Sequence, residues 1–105
     1  MNDALQRLFT TIESRRNADP AVSYVAKMLG KGTAKIAKKV GEEGVEVAIA
    51  AAQADRAATV RESADLVFHL MLLWAAMGIS PAEVMAELER REGVSGIEEK
   101  KKRAW

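Results

Sequence analysis

The feature that most restricts the fold of this chain is one apolar run, LVFHLMLLWAAMGI, from Leu66 to Ile79. Its 14 residues include one histidine and no charged side chain. A membrane-spanning helix needs about 20 apolar residues, so the run predicts a buried helix of a folded domain. Because this helix is apolar on nearly every side, it must be covered all round. A chain of 105 residues has few helices to do so, which favours a homo-oligomer that shares this helix in one bundle.

Composition agrees with an all-α domain over residues 1–105. Aromatic residues make up 5% of the chain, and Gly and Pro cluster at predicted boundaries, a balance that favours helix over sheet. The formal net charge of +1 gives no case for nucleic acid. The absence of cysteine excludes disulfides and thiolate metal sites. With no secretory leader and no membrane span, we expect a cytoplasmic protein.

Periodicity and capping signals predict about five helices. The first has its apolar face from Leu5 to Ile12 and ends before NADP. The second starts at Ser23 and ends at Gly30, followed by a GKGT loop. Thr33 is the predicted N-cap of the third helix, which should run to about Ala54.

The start of the fourth helix has two readings. Thr59 and Glu62 have capping-box spacing, but Asp55 offers an earlier start. This helix should stop at Gly78. SPAE at 80–83 is a clear start for the fifth helix, which should end near Arg91.

The third helix divides on a helical wheel into an apolar face and a charged face. The apolar face holds Ile36, Ala37, Val40, Gly44, Val47, Ala48 and Ala51. The charged face holds Lys35, Lys39, Glu42, Glu43 and Glu46, with Lys38 at its edge. Gly41 and Gly44 fall with the packing side. Since each costs about 1 kcal/mol relative to Ala in a helix, we expect another backbone to approach closely there.

The charged face is open to two interpretations. Lys and Glu four residues apart could form a solvated, ion-paired surface. However, Lys before Glu is the weaker order for such pairs, and lysines near a helix N-terminus oppose the macrodipole. The pattern alone therefore leaves a solvated face and a functional face equally open.

The fourth helix favours the functional interpretation. Glu62 and Asp65 share one face, and His69 continues it. A short turn makes the two helices antiparallel neighbours, so Glu43 and Glu46 can face this pair. Four converging carboxylates repel unless cations neutralise them, and an all-oxygen set suits Mg²⁺, or alternatively Mn²⁺, rather than zinc. Lysines on the same face suit phosphate oxygens, so the pattern describes metal-assisted attack of water on a polyphosphate.

Two segments of this region resemble a known signature. GEEGVE, followed after 15 residues by ESAD, resembles the E-E-x-x-E…E-x-x-D signature of the all-α, MazG-like nucleotide pyrophosphatases. The flanks SYVAKMLGKGTAKIAKK and RREGVSGIEEKKKR resemble, more narrowly, the phosphoribosyl-ATP pyrophosphatases of histidine biosynthesis. The resemblance covers about residues 5–103. It implies a helical homodimer that uses Mg²⁺ to hydrolyse phosphoribosyl-ATP to phosphoribosyl-AMP and diphosphate.

The resemblance also implies roles for single residues. It makes Glu43, Glu46, Glu62 and Asp65 the metal ligands. Glu42 matches a further glutamate, which is either another ligand or a group that orients the attacking water. Glu42, Glu43 and Glu46 are thus the predicted catalytic residues.

Substrate contacts are predicted on both sides of this cluster. Lys35, Lys38 and Lys39 are candidates for phosphate contacts. Residues 91–105 are read as a flexible, substrate-contacting tail, with candidates Arg91, Ser95, Gly96, Lys102 and Arg103. Tyr24 either lines the base or ribose pocket or packs structurally. His69 is a base, a supporting group or, more commonly for a lone histidine on an apolar helix, a satisfied core residue.

Two alternatives belong to other functional classes. A related pyrophosphatase acting on ordinary nucleoside triphosphates would keep the acidic cluster without needing the basic tail. A non-enzymatic helical dimerisation module would need neither metal nor Glu46.

Overall fold

The computed structural model describes residues 4–92, and this part of the chain contains five α-helices and no strand. The helices are α1 (Ala4–Ser14), α2 (Tyr24–Lys31), α3 (Thr33–Ala52), α4 (Arg56–Met77) and α5 (Pro81–Arg90). The prediction of an all-α fold with about five helices is confirmed.

The two longest helices, α3 and α4, pack along each other as a hairpin and form the centre of the fold. A three-residue turn joins them, with Ala54 in the left-handed region at φ 54°. Asp55 caps α4 by accepting a hydrogen bond from the Ala58 amide at 3.0 Å. The earlier of the two predicted starts is therefore correct. Thr59 lies inside the helix, where its hydroxyl donates to the Asp55 carbonyl at 2.7 Å.

The hydrophobic core lies where α1 and α2 cover the hairpin. Its buried members are Ile12, Val25, Met28, Ile36, Met71, Leu72 and Ala75. The apolar run is thus buried along one side of α4, whereas the prediction had this helix covered all round. At its ends Val67 and Met77 remain 36% and 56% exposed, because the described helices do not surround α4 completely.

The junction between α2 and α3 differs from the prediction. The expected GKGT loop shrinks to one residue, Gly32, whose φ of 91° lets the chain change direction between two helices. Thr33 is the first residue of α3 rather than its cap. Ser23 does cap α2, accepting a hydrogen bond from the Ala26 amide. The predicted capping box of α5, between Ser80 and Glu83, is also confirmed.

The predicted faces of α3 are partly wrong. Ile36, Glu43 and Ala50, spaced by seven residues, are its buried positions, so Glu43 belongs to the packed side. Ala37, Ala48 and Ala51, predicted to pack, are exposed. A Cβ added at Gly41 or Gly44 would meet nothing within 4 Å. Among the described residues, no other backbone approaches either glycine closely, in contrast to the prediction.

Apolar side chains on both helices of the hairpin remain exposed among the described residues. We call Val45, Ile49, Val60 and Val67 the open face; they are 57%, 47%, 64% and 36% exposed. The first two lie one turn apart on α3 and the other two lie on α4. In the described part of the chain, no single helix is long and apolar enough to span a membrane, although α4 and α5 pass that test together across a 110° bend.

Candidate functional site

Three carboxylates converge where α3 packs against α4. Glu43 contributes from α3, and Glu62 and Asp65 contribute from successive turns of α4; one oxygen of each lies within 4.8 Å of the others. Glu43 is only 8% exposed, Glu62 is half-buried and Asp65 is exposed. We call these three residues the acidic cluster. It opens to solvent on the α4 side and is closed on the α3 side.

One lysine partly neutralises the acidic cluster. Lys39 Nζ lies 3.3 Å from Glu43 Oε1, one helical turn away. The hydrogen bond to Glu43 raises the pKa of Lys39 above its usual range, so this lysine is charged at neutral pH. One ammonium against three carboxylates leaves a net negative site, which favours binding of a further cation.

The donor set fits a hard divalent cation. All three side chains offer carboxylate oxygen, which Mg²⁺ and Mn²⁺ prefer. Oxygens on opposite sides of a Mg²⁺ ion stand about 4.2 Å apart, from the usual bond length. The three oxygens all lie within 4.8 Å of one another, which is the scale of one coordination sphere.

The other two predicted acids occupy different positions. Glu46 follows Glu43 by one turn on α3 but is exposed and lies outside the acidic cluster. The structure thus brings together three of the four predicted ligands. Glu42 is exposed and lines a neighbouring pocket.

That neighbouring pocket is strongly basic. It has a volume of about 370 Å³ and is bounded by α2 and the first half of α3. Its lining consists of Tyr24, Lys27, Met28, Lys31, Lys35, Lys38, Lys39 and Glu42. We call it the lysine pocket. Five ammonium groups around one concavity suit an anion with several charged oxygens, such as a polyphosphate.

The predicted lysines Lys35, Lys38 and Lys39 all line the lysine pocket, and two further lysines were missed. Lys27 and Lys31 reach it from α2. Their spacing could have indicated this, because residues 27, 31, 35 and 39 are all lysine, at intervals of four. The pattern was overlooked because a loop was predicted around Gly32. In the structure this junction is one residue long and keeps the two helices close.

Lys39 joins the two features. It lines the lysine pocket and pairs with Glu43 of the acidic cluster. A cation on the carboxylates and a phosphate among the lysines would therefore be neighbours. This adjacency lets one ligand contact both the cation and the ammonium groups.

Tyr24 and His69 meet at the edge of the lysine pocket. The Tyr24 hydroxyl lies 2.8 Å from His69 Nε2, and His69 Nδ1 lies 2.7 Å from the Asp65 carbonyl oxygen. His69 is 6% exposed with both ring nitrogens bonded, which agrees with the reading of a satisfied core residue. Burial raises the pKa of Tyr24, opposed by Lys39 and reinforced by Glu43 and Asp65, so the phenol is protonated at neutral pH.

Of the predicted substrate contacts in the C-terminal segment, Arg91 alone lies within the described residues. Arg91 is the C-cap of α5, where its Nε lies 3.6 Å from a Glu87 carboxylate oxygen, and it does not line the lysine pocket. Ser95, Gly96, Lys102 and Arg103 lie outside the described residues, as does most of the predicted tail at 91–105. Their substrate contacts stay predictions.

Comparison with known proteins adds a family match. Residues 5–92 match the family described as Phosphoribosyl-ATP pyrophosphohydrolase. A relative from Azospirillum brasilense, named phosphoribosyl-ATP pyrophosphatase, is 56% identical over 99 residues, which cover 94% of this chain and 89% of the relative. A relative of the same name from Novosphingobium aromaticivorans is 58% identical over 102 residues, covering 97% and 95% of the two chains. A third, from Paramagnetospirillum magneticum, is 52% identical over 100 residues, covering 95% and 92%.

Proposed function

This chain belongs to the phosphoribosyl-ATP pyrophosphohydrolase family, and we propose that it hydrolyses phosphoribosyl-ATP to phosphoribosyl-AMP and diphosphate in histidine biosynthesis. The observation that carries this proposal is the acidic cluster beside the lysine pocket, joined by Lys39. Such a site suits a ligand with several phosphate groups. Phosphoribosyl-ATP, which the family's description names, is such a ligand. A cytoplasmic location is expected for this biosynthetic role.

We propose Mg²⁺, with Mn²⁺ as the alternative, as the cation held by Glu43, Glu62 and Asp65, with Glu46 as a further ligand. When bound, the cation supplies Lewis-acid stabilisation of the charge that develops on the phosphate oxygens. The charge balance of the acidic cluster supports this assignment, since Lys39 lies 3.3 Å from Glu43 and offsets the charge of one of the three carboxylates.

The chain's own residues would do the remaining work. The lysines of the pocket bind the phosphate oxygens and hold the chain of phosphates in line. Glu42, exposed at the pocket wall, accepts a hydrogen bond from the attacking water and thereby orients it. Water adds to phosphorus as the bridging P–O bond between the α- and β-phosphates breaks, which releases phosphoribosyl-AMP and diphosphate. Charge neutralisation and positioning are the main sources of rate in such reactions.

The direct test is diphosphate release from phosphoribosyl-ATP, with ATP and dCTP as comparison substrates, in Mg²⁺ and in EDTA. We expect turnover that is selective for phosphoribosyl-ATP and that EDTA abolishes. Turnover of ATP or dCTP at an equal rate would reject the substrate and keep the metal chemistry. A folded sample that is silent on all three would reject the proposed function.

Binding of the cation has its own test, independent of turnover. Mg²⁺ at a hundredfold excess over its dissociation constant stabilises the native state by about 2.7 kcal/mol. We expect the melting temperature of the wild type to rise with Mg²⁺, and that of Asp65→Asn to rise far less. An equal rise in both proteins would remove Asp65 from the ligand set.

We also propose that a second copy of this chain covers the open face. Val45 and Ile49 on α3 and Val60 and Val67 on α4 expose apolar surface on both helices of one hairpin, and two such hairpins can pair as a four-helix bundle. The exposed alanines Ala48 and Ala52 beside this strip would permit close helix packing.

The oligomer is tested by sedimentation at micromolar concentrations. We expect a dimer for the wild type and a monomer for Ile49→Glu. Val22→Glu is the matched control, because Val22 is 85% exposed in the segment before α2 and away from the open face. A monomeric wild type would contradict the proposal.

A further inference from the structure

The contact between Tyr24 and His69 has a defined direction. A carbonyl oxygen only accepts hydrogen bonds, so His69 Nδ1, at 2.7 Å from the Asp65 carbonyl, carries the ring proton. In the neutral imidazole Nε2 is then an acceptor. The Tyr24 hydroxyl, 2.8 Å from Nε2, must therefore donate to it.

This direction determines what Tyr24 offers to the lysine pocket. A phenol has one O–H, and Tyr24 uses it towards His69. Tyr24 lines the lysine pocket, and a ligand that reaches its hydroxyl therefore meets only lone pairs. The hydroxyl can accept a hydrogen bond from a ligand but cannot donate one to a phosphate oxygen, which is itself an acceptor.

The rings around this contact keep the hydroxyl in place. Tyr24 stacks near Phe68 with ring centroids 6.1 Å apart. His69 meets both rings edge-on, at centroid distances of 5.7 Å and 5.4 Å. Since His69 is buried and bonded at both nitrogens, it holds the phenol in one orientation.

We propose that Tyr24 and His69 form one positioning unit, in which His69 accepts the Tyr24 proton and thereby directs the phenol lone pairs towards a hydroxyl of the nucleoside ribose of the substrate. This inference rests on the proposed function, whose substrate contains ribose. The lysines bind the phosphates, and the tyrosine binds a sugar donor beside them. The unit thereby distinguishes a nucleotide from a simple polyphosphate, which has no sugar hydroxyl.

Three variants separate this role from packing. Tyr24→Phe keeps the ring and removes the acceptor. His69→Gln keeps an amide oxygen near the position of Nε2, and His69→Leu removes it. We expect Tyr24→Phe and His69→Leu each to raise KM about tenfold, as for the loss of one hydrogen bond of about 1.4 kcal/mol, with little change in kcat. His69→Gln should recover most of the loss.

The double variant Tyr24→Phe/His69→Leu should be no worse than either single variant, because His69 acts on the substrate only through the Tyr24 hydroxyl. Thr10→Val, which removes an exposed hydroxyl on α1, is the control and should behave as wild type. Circular dichroism and melting temperatures establish that each variant is folded. A rise in KM that His69→Gln fails to recover, or losses that add in the double variant, would contradict the unit.

Substrate analogues test the sugar contact itself. Phosphoribosyl-ATP lacking the 2′- or the 3′-hydroxyl of the nucleoside ribose removes the donor. One of the two should lose about tenfold in kcat/KM with the wild type and nothing further with Tyr24→Phe. Equal losses in both proteins for both analogues would overturn the inference while leaving the proposed function intact. A folded wild type without activity would overturn the proposed function and this inference with it.

The hydrogen-bond direction has a readout that needs no substrate. The chain contains one histidine and one tyrosine, so their side-chain resonances are unambiguous. Nitrogen NMR of the neutral ring should show the proton on Nδ1 of His69. A proton on Nε2 would make Tyr24 the acceptor in this contact and overturn the inference.

Discussion

The two ends of the α3–α4 hairpin are packed very differently. Where α1 and α2 cover it, Ile36, Met71 and Leu72 are fully buried. Towards the turn, Val45 and Val60 are 57% and 64% exposed. Within the described residues 4–92, one end completes its core and the other does not. Two apolar regions of one hairpin can thus differ in how far the described helices cover them.

The acidic cluster lies in the interface between α3 and α4, which we call the seam. Along α3 the three buried positions are Ile36, Glu43 and Ala50. The middle one carries a carboxylate where its neighbours carry apolar groups. Packing therefore holds Glu43 in place beside α4. A well-packed interface thus carries a group of carboxylates with net negative charge.

Removing a charge from the seam should have the largest effect. We expect Glu43→Gln and Asp65→Asn each to reduce metal-dependent turnover about a thousandfold, as for roughly 4 kcal/mol of lost transition-state stabilisation. Diphosphate release at saturating Mg²⁺ measures this. Glu89→Gln on α5, exposed and outside the site, is the control. A loss below tenfold would remove the acidic cluster from the chemistry.

Truncations at the two ends should differ by several kcal/mol. Leu72→Ala leaves a cavity in the covered core and should destabilise the protein by about 2–5 kcal/mol. Val60→Ala at the turn end should change stability by less than about 0.5 kcal/mol if the chain is monomeric. Urea unfolding at several protein concentrations measures both. A concentration-dependent loss for Val60→Ala would instead show that a second copy buries it.

A substitution at a glycine of α3 tests whether a partner packs against this helix. Nothing lies within 4 Å of a Cβ added at Gly44, so Gly44→Ala should stabilise the isolated chain by about 0.5–1 kcal/mol. Gly30→Ala in α2, equally free of neighbours, is the matched control. Stabilisation at residue 30 with destabilisation at residue 44 would reveal a partner packed against α3.

Alkaline titration should give the smallest effect. The pKa of Tyr24 is raised, chiefly by burial, so the folded state favours the neutral phenol. Its contribution to stability is complete below the unfolded pKa of about 10 and is lost as pH rises through the higher folded value. Because Tyr24 is the only tyrosine, absorbance at 295 nm follows it alone. A midpoint at or below about 10 in the folded protein would contradict this.

Local signals predicted most of the helices. The capping box of Ser80 and Glu83, the stop at Gly78 and the cap at Ser23 all lie where the sequence placed them. Each depends on hydrogen bonds or backbone preferences within about four residues. The errors, Thr33 as a cap and a loop before it, arose where Gly32 alone sufficed to separate two helices.

The acidic residues were also recognisable in the sequence, because their spacing places them on facing helices. Glu43, Glu62 and Asp65 do converge, whereas Glu46, one turn from Glu43, remains exposed and outside the acidic cluster. Helical periodicity defines which residues share a face but leaves the rotation of the helix towards its partner undetermined. In α3 that rotation buries Glu43 and exposes Ala37 and Ala48.

Sequence patterns were sufficient for the all-α class and for most helix ends, because these depend on neighbours along the chain. Spacing also marked the acidic residues, but the packing of α3 against α4 decided which of them converge. Tertiary packing was needed to bring Lys27 and Lys31 of α2 beside the lysines of α3 and to join Tyr24 to His69 across 45 residues. Such contacts depend on how helices pack against each other, and that geometry is set by the whole core rather than by any local segment.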